Sequence, residues 1–242
     1  MSLRSIASMA LRSFDAFNNM SQTSQGNHKE LQNIFRRDYY NNYNLTDDLN
    51  KVKTESKQQA VCALTQQPEK LKLAHLVPVS TSCDIRATLK LSGNEIWSFR
   101  NALLLSWNIK AAYDRKRLSF VEVPLHIGHY CLQIWDESVK YELIFENAKV
   151  MRDDGDNMIG FYEGKFLNLN LDNNQKLNPF RRCLSYQALV SFLSSDEVNA
   201  PTDFSSLTGE ELEEWERKKE DILMFRSNLD RVIEEEVDDE DG

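Results

Sequence analysis

Two stretches of the sequence decide the fold. Residues 62–78 read CALTQQPEKLKLAHLVP, and residues 95–123 read EIWSFRNALLLSWNIKAAYDRKRLSFVEV. Short apolar runs bounded by polar or turn-forming residues are typical of buried strands and short helices. The first stretch predicts a strand over LKLAHLV that ends at Pro78. The second predicts a strand over ALLLS, a short helix over WNIKAAYD and an alternating strand over RLSFVEV.

Further elements are predicted on the C-terminal side of these stretches. YCLQIW and YELIFE predict two strands joined by a turn at DESVK, and residues 157–179 predict a loop with another strand pair. CLSYQALVSFLSS predicts a helix whose inward positions are Leu184, Leu189, Phe192 and Leu193. We therefore expect an α+β fold with additional antiparallel strands after the first unit.

Both ends of the chain predict flanking helices. Residues 18–58 are polar and are typical of a linker or a peripheral helix. The helical pattern in this segment lies over 29–40, with apolar positions at Leu31, Ile34 and Phe35. Thr208 and Glu211 form a capping-box pattern that opens a long C-terminal helix. The predicted organisation is an N-terminal helix and polar linker over 1–58, a domain over 59–200, and an amphipathic helix with an acidic tail over 201–242.

The C-terminal helix carries an apolar stripe at nearly heptad spacing. Its positions are Leu212, Trp215, Ile222, Leu229 and Ile233. Lys219 and Arg226 interrupt the seam, which favours docking onto the protein's own body, although self-association or a protein partner through residues 208–237 stays open. The terminal EEEVDDEDG is a block of like charge of the kind that is usually disordered.

The charge is unevenly distributed along the 242 residues. The net charge of -9 argues against nucleic-acid binding at first, but residues 210–242 hold 15 acidic and 5 basic side chains. Residues 1–209 hold 24 basic and 23 acidic side chains. The body is therefore close to neutral, and the net charge does not exclude a nucleic-acid partner.

The cysteines and the N-terminus indicate the compartment. The four cysteines form no CxxC pair, and the sequence shows no signal peptide, so we expect reduced thiols in an intracellular protein of the nucleus or cytoplasm. No apolar run has membrane-spanning length, so we expect no membrane association. The first 24 residues, with Arg4, Arg12 and several serines, are also compatible with a mitochondrial transit peptide. An amphipathic helix is the alternative for this segment.

The opening stretches resemble the HNH nuclease module of the ββα-metal type, which is common in fungal and bacterial proteins. The family pattern runs from Cys-x-x-Thr through Ala-His-Ile-x-Pro and Arg-Asn-Gly-Leu-Leu-Leu to a helix with His-x-x-Phe-Asp. The matching residues here are Cys62, Leu64, Thr65, Ala74, His75, Leu76, Pro78, Arg100, Asn101, Leu103, Leu104, Leu105, Ile109, Ala112, Tyr113 and Asp114. Lys110 stands where the family has its second histidine.

The resemblance implies a ββα-metal core and a set of site residues. His75 would be the general base that takes the proton of the attacking water, a role that suits a neutral imidazole near pH 7. Asn101 would orient the loop and the base through amide hydrogen bonds. In the family, the helix histidine and the acid after it hold a divalent cation, and here those positions are Lys110 and Asp114.

Lys110 divides the functional hypotheses. A protonated ammonium does not bind metal, so weak binding of Mg²⁺ or Mn²⁺ is expected, with Asp114 as a tentative ligand. If Lys110 supplies the positive charge itself, the protein is an endonuclease acting on DNA or RNA. If the site has decayed, it is a degenerate module that binds nucleic acid or a protein.

Each site residue also has a structural interpretation that the sequence leaves open. His75 can be a core histidine, Asn101 a turn residue, and Asp114 a partner of Arg115 or Arg117. His126 and His129 flank Gly128, which predicts a turn rather than a metal site. Cys62 and Cys83 lack the paired cysteines of a zinc site. No P-loop, dinucleotide-binding glycine pattern or nucleophile elbow is present.

Overall fold

The computed structural model describes residues 22–123, 126–145, 157–169, 178–195 and 209–240. The α-helices are α1 (Gln22–Asn42), α2 (Leu49–Thr54), α3 (Cys83–Thr88), α4 (Trp107–Asp114), α5 (Arg181–Ser194) and α6 (Gly209–Glu240). The strands are β1 (Leu45–Thr46), β2 (Gln58–Gln59), β3 (Leu71–His75), β4 (Ala102–Ser106), β5 (Leu118–Glu122) and β6 (Tyr130–Ile134). The helices and small sheets give an α+β fold, as the sequence predicts.

The centre of the fold is a two-stranded antiparallel sheet followed at once by a helix. β3 pairs with β4 in a register that runs from Leu71 opposite Ser106 to His75 opposite Ala102. All five residues of β4 are buried, and α4 begins at the next residue. Ile109, Ala112 and Tyr113 form the buried face of α4, because side chains three and four residues apart share one side of a helix.

The connection between β3 and β4 is more ordered than a simple loop. It contains α3 and two short 3-10 helices, Glu95–Trp97 and Phe99–Asn101. Ser82 caps α3 by accepting a hydrogen bond from the backbone N–H of Ile85 at 3.4 Å, and Ile85 is buried. The second 3-10 helix leads directly into β4, which places Asn101 beside the end of β3.

The second sheet pairs β5 with β6 in antiparallel register, from Leu118 opposite Ile134 to Glu122 opposite Tyr130. α5 packs against β5 and α6 packs against α5. The predicted inward positions of α5 are buried at Leu184, Leu189 and Phe192, and Leu193 packs against the core while partly exposed. A separate parallel pair joins β1 and β2.

The prediction of a strand over YELIFE is wrong. Glu137–Tyr141 forms a 3-10 helix, and Leu143 makes only an isolated bridge to Met158. The Asn157 side chain takes the place of a strand partner, since its amide donates to the Phe145 carbonyl and accepts from the Phe145 N–H, both at 2.9 Å. A side chain that satisfies the backbone in this way stops the ladder from extending.

The predicted strand pair over residues 157–179 is not formed in the described part of that segment. Residues 157–169 hold a 3-10 helix, Ile159–Tyr162, and a single bridge between Phe166 and Cys131. Gly164, at φ +73°, reverses the chain between these two features. Residues 170–177 lie outside the described residues.

α1 forms a helix over the segment for which the sequence left a linker or a peripheral helix open, and it buries one of the three apolar positions named there. Phe35 and Tyr39, one turn apart, are buried, whereas Leu31 and Ile34 are exposed. Arg36 on the neighbouring face pairs with Asp47 at 2.9 Å. The candidate transit segment lies almost entirely outside the described residues.

α6 docks on the body through its second half. Ile222, Leu229, Val232 and Ile233 are buried, and Arg231 pairs with Glu235 at 2.7 Å. The helix continues to Glu240, so the disorder expected for the acidic tail is not observed up to that residue. The turns of α6 that dock on the body and the Arg231–Glu235 ion pair stabilise the helix, and its acidic end continues from these turns.

Some predictions on the C-terminal segment fall outside the description. The side chains of Leu212, Trp215 and Lys219 and the capping residue Thr208 are not among the described ones. The core cluster contains residues from all three predicted segments, from Phe35 to Ile233. The domain boundaries at 58 and 200 stay a prediction.

The four cysteines are all within the described residues, and no disulfide joins them. No described helix has the length and apolar character needed to cross a membrane.

Candidate functional site

His75 is the last residue of β3 and lies in an aromatic enclosure. The Phe35 ring of α1 stacks on the imidazole with a centroid distance of 4.2 Å and an interplanar angle of 13°. Trp97 meets the imidazole edge-on at 5.6 Å and 83°. The Nε2 atom is buried. The structure therefore places the candidate base against α1, with Nε2 buried and the residue as a whole partly exposed.

Asn101 fastens the chain that follows His75. Its side chain is fully buried, and its Oδ1 accepts from the Val77 N–H at 2.9 Å. Its Nδ2 donates to the carbonyls of Val77 at 2.9 Å and Ile96 at 3.0 Å. These bonds use both amide donors, so Asn101 holds two backbone segments together on either side of the site.

Lys110 and Asp114 form an ion pair on the outer face of α4. They are four residues apart, which brings their side chains together on a helix. The alternative partners for Asp114 are not observed, because Arg117 pairs instead with Asp136 and Glu142, both at 2.6 Å. The predicted cation-binding position therefore carries a neutralised pair.

This donor set does not fit a divalent cation. Metal sites of the magnesium type need several oxygen ligands, and here the single carboxylate of Asp114 is bound by an ammonium group. Among the described residues, no cluster of three His, Cys, Asp or Glu side chains could hold a metal ion.

The other sequence candidates for metal ligands do not form a site. His126 and His129 lie on a turn with Gly128 at φ +81°, and the His129 N–H donates to the His126 carbonyl at 2.9 Å. Their rings are 6.1 Å apart, and His129 also contacts Phe166. Cys62 is buried, whereas Cys83 is exposed.

Three residues near the site were not predicted from the sequence as parts of it. Phe35 and Trp97 enclose His75, and Lys116 follows α4 with its Nζ donating to the Gln187 side chain of α5. Burial lowers the pKa of Lys116 to about 8, an effect that the nearby Asp114 opposes. Phe35 was noted only as an apolar helix position, and no local pattern connects it to His75.

Comparison with known protein families agrees with this geometry. Residues 62–121 match the HNH endonuclease family. The matching segment contains β3, β4, α4, His75 and Asn101, so the HNH resemblance of this segment is confirmed. It covers about a quarter of the chain, and α1, α5 and α6 lie outside it. No curated protein and no solved structure matches the chain.

Proposed function

We propose that the protein is an HNH-type endonuclease that hydrolyses phosphodiester bonds in DNA or RNA. The observation that carries the proposal is the antiparallel β3–β4 pair with α4 directly after it, inside the segment that matches the HNH family. In this unit His75 ends the first strand, and Asn101 fixes the two residues beyond it. A fold alone does not imply chemistry, so the proposal depends on these side chains.

The proposed roles follow from the chemistry of each group. His75 takes the proton of a water that attacks phosphorus, and Asn101 positions the backbone from which His75 projects. Lys110 provides a fixed positive charge for the phosphate oxygens, where charge develops during the reaction. A phosphate that binds Lys110 must compete with Asp114 for the ammonium group.

Access to His75 imposes a condition on this mechanism. Because Phe35 covers one face of the imidazole and Nε2 is buried, a water that uses Nε2 as its base reaches this atom after a local shift of α1, although His75 as a whole is partly exposed. Local openings of this kind occur with free energies well below that of global unfolding. We therefore expect slow hydrolysis by the full chain.

The proposal is tested by nicking of supercoiled plasmid and cleavage of a labelled RNA with Mg²⁺, Mn²⁺ or EDTA. We expect His75→Ala to abolish cleavage, whereas His126→Ala, at an exposed histidine outside the site, serves as the matched control. Lys110→His restores the family's residue and should make cleavage faster and metal-dependent. Unchanged cleavage in His75→Ala would refute the role of His75, and no cleavage by any variant would refute the nuclease.

A second candidate function is a degenerate HNH-like module that binds nucleic acid or a protein without cutting. Two observations favour it: the ion pair of Lys110 with Asp114, and the stacking of Phe35 on His75. A protein without a metal site should show the same melting temperature with Mn²⁺ as with EDTA. A metal-dependent rise in melting temperature would count against this candidate.

A further inference from the structure

An exposed strip of large apolar side chains lies next to α4. Trp107, the first residue of α4, is 51% exposed, and Tyr141 is 76% exposed. Together with three further exposed side chains they form the aromatic strip: Trp107, Tyr141, Leu143, Met158 and Phe161. Contiguous exposed apolar groups of this kind mark interaction surfaces more often than chance exposure does.

Short backbone contacts place these residues in succession. The side-chain Nδ2 of Asn108, the residue after Trp107, donates to the Leu143 carbonyl at 2.6 Å. Leu143 forms a β-bridge with Met158, and the Phe161 N–H donates to the Met158 carbonyl at 3.2 Å. The strip therefore runs from the start of α4 across to the Ile159–Tyr162 helix.

Two lysines lie over the aromatic rings of the strip. The Lys72 Nζ is 5.4 Å from the centroid of the Trp107 ring. The Lys165 Nζ is 3.0 Å from the centroid of Phe161 and 4.9 Å from that of Tyr162. Within the described part of the chain, neither ammonium group has a carboxylate partner, so both keep their charge available for an anion.

The acidic side chains beside the strip are held in ion pairs. Glu137 and Glu163 both pair with Lys140, at 2.7 Å and 3.0 Å. Glu142 pairs with Arg117 at 2.6 Å. Asp136 also pairs with Arg117, so four carboxylates share two cations, and the charges of Lys72 and Lys165 bring these described groups at the strip close to neutral, in contrast to the net charge of -9 of the whole chain.

We propose that the aromatic strip binds single-stranded nucleic acid, with bases stacked on Trp107 and Phe161 and phosphates at Lys72 and Lys165. Exposed rings combined with cations are the chemistry by which proteins hold unpaired bases, and a duplex keeps its base faces covered. A protein partner that covered these rings would bury two ammonium groups, and lysine is depleted in such interfaces. This inference rests on the proposed function and names its substrate class.

The position of the strip relative to the candidate site supports this substrate class. Trp107 and Lys110 are three residues apart on α4 and share one helical face. A strand whose base stacks on Trp107 therefore brings a neighbouring phosphate towards Lys110. One bound strand would therefore contact both the aromatic strip and the candidate site.

The inference is tested by fluorescence anisotropy with the full chain in EDTA. The probes are labelled oligothymidylate, labelled oligouridylate and a labelled DNA duplex. We expect tighter binding of the single strands, and Trp107→Ala and Phe161→Ala should each weaken it about tenfold. Trp107→Phe keeps a stacking ring and should retain most of the affinity. Lys72→Ala should reduce the salt dependence of binding by about one phosphate contact.

Matched controls separate the strip from the rest of the surface. Met224→Ala removes an equally exposed apolar side chain from α6, and Lys51→Ala removes an exposed lysine from α2. Both should bind like the wild type. Equal affinity for strand and duplex, no loss in Trp107→Ala, or no binding of any probe would overturn the inference, and the last result would indicate a protein-contact face.

The outcomes distinguish this inference from the proposed function. Single-strand binding that is lost in Trp107→Ala, without cleavage in any condition, would support the strip and refute the nuclease. Cleavage that persists with unchanged affinity in Trp107→Ala would support the nuclease and refute the strip.

Discussion

At the scale of single residues, the three hydrogen bonds of Asn101 make a stability prediction. Asn101→Ala leaves the Val77 N–H and the carbonyls of Val77 and Ile96 without this partner in a buried place. We expect the free energy of unfolding to fall by about 2–4 kcal/mol, measured by urea denaturation. Asn101→Asp should be worse than alanine, because its carboxylate would face two carbonyl oxygens.

Asn108→Ala is the matched control for this measurement. Asn108 makes one bond, to the Leu143 carbonyl, on an exposed part of α4. Its loss should cost about 1 kcal/mol or less. A similar cost for both variants would contradict the assignment of Asn101 as the fastening residue.

Lys116 makes a prediction about pH. Its pKa is about 8 in the folded protein against an ordinary value of 10.5, so between these values the unfolded chain binds more protons. The contribution of Lys116 to stability therefore becomes more favourable as the pH rises from 8 to 10.5 and is least favourable below pH 8. Lys116→Met does not titrate there, so the wild type should gain stability relative to this variant across that range. A constant difference in the free energy of unfolding would refute the lowered pKa.

At the scale of elements, α1 acts on the site through one ring. Phe35→Leu keeps an apolar side chain but removes the stacked plane from His75. We expect diethyl pyrocarbonate to modify His75 several times faster in this variant, as measured by mass spectrometry, because local opening controls access. His126 and His129 are exposed and have no described ring contact with Phe35, so they serve as internal controls. An unchanged rate at His75 would show that Phe35 does not limit access.

The elements that the sequence predicted correctly are those with a complete local pattern. β3, β4, α4, β5 and β6 each carry an apolar period of their own, and β4 and α4 were predicted with their observed bounds. YELIFE failed because the Asn157 side chain, which no strand pattern can anticipate, satisfies its backbone. The short helices between β3 and β4 were missed because capping by Ser82 is a weaker signal than periodicity.

The candidate site divides in the same way. The resemblance supplied His75 and Asn101, whose roles as base and positioning residue stay predictions. For Asp114 the sequence left pairing with Arg115 or Arg117 as an alternative to a site role, and in the structure its ion-pair partner is Lys110, one helical turn before it. Phe35 and Trp97 were missed because they approach His75 only after the chain has folded, from segments with no shared pattern.

At the scale of the whole molecule, the HNH-like segment shares its core with the rest of the chain. Phe35 and Tyr39 come from α1, and Phe180 and Leu184 come from the region of α5, yet all belong to the same core cluster as β4. The Phe180 N–H also donates to the Arg100 carbonyl at 2.9 Å, beside Asn101. The segment that matches the family is therefore completed by residues on both sides of it.

The ion pair of the buried Arg182 with the partly exposed Glu95 joins α5 to the 3-10 helix that carries Trp97. The Arg182 side chain is completely buried, and its guanidinium meets the Glu95 carboxylate at 2.9 Å. Loss of Glu95 would remove the carboxylate partner of a buried guanidinium, at a cost of about 3–5 kcal/mol. Replacement of Glu95 is therefore expected to occur together with replacement of Arg182, and an alignment of relatives should show the two positions co-varying across 87 residues of sequence. The sequences of relatives would then reveal a contact between two segments that neither segment indicates by itself.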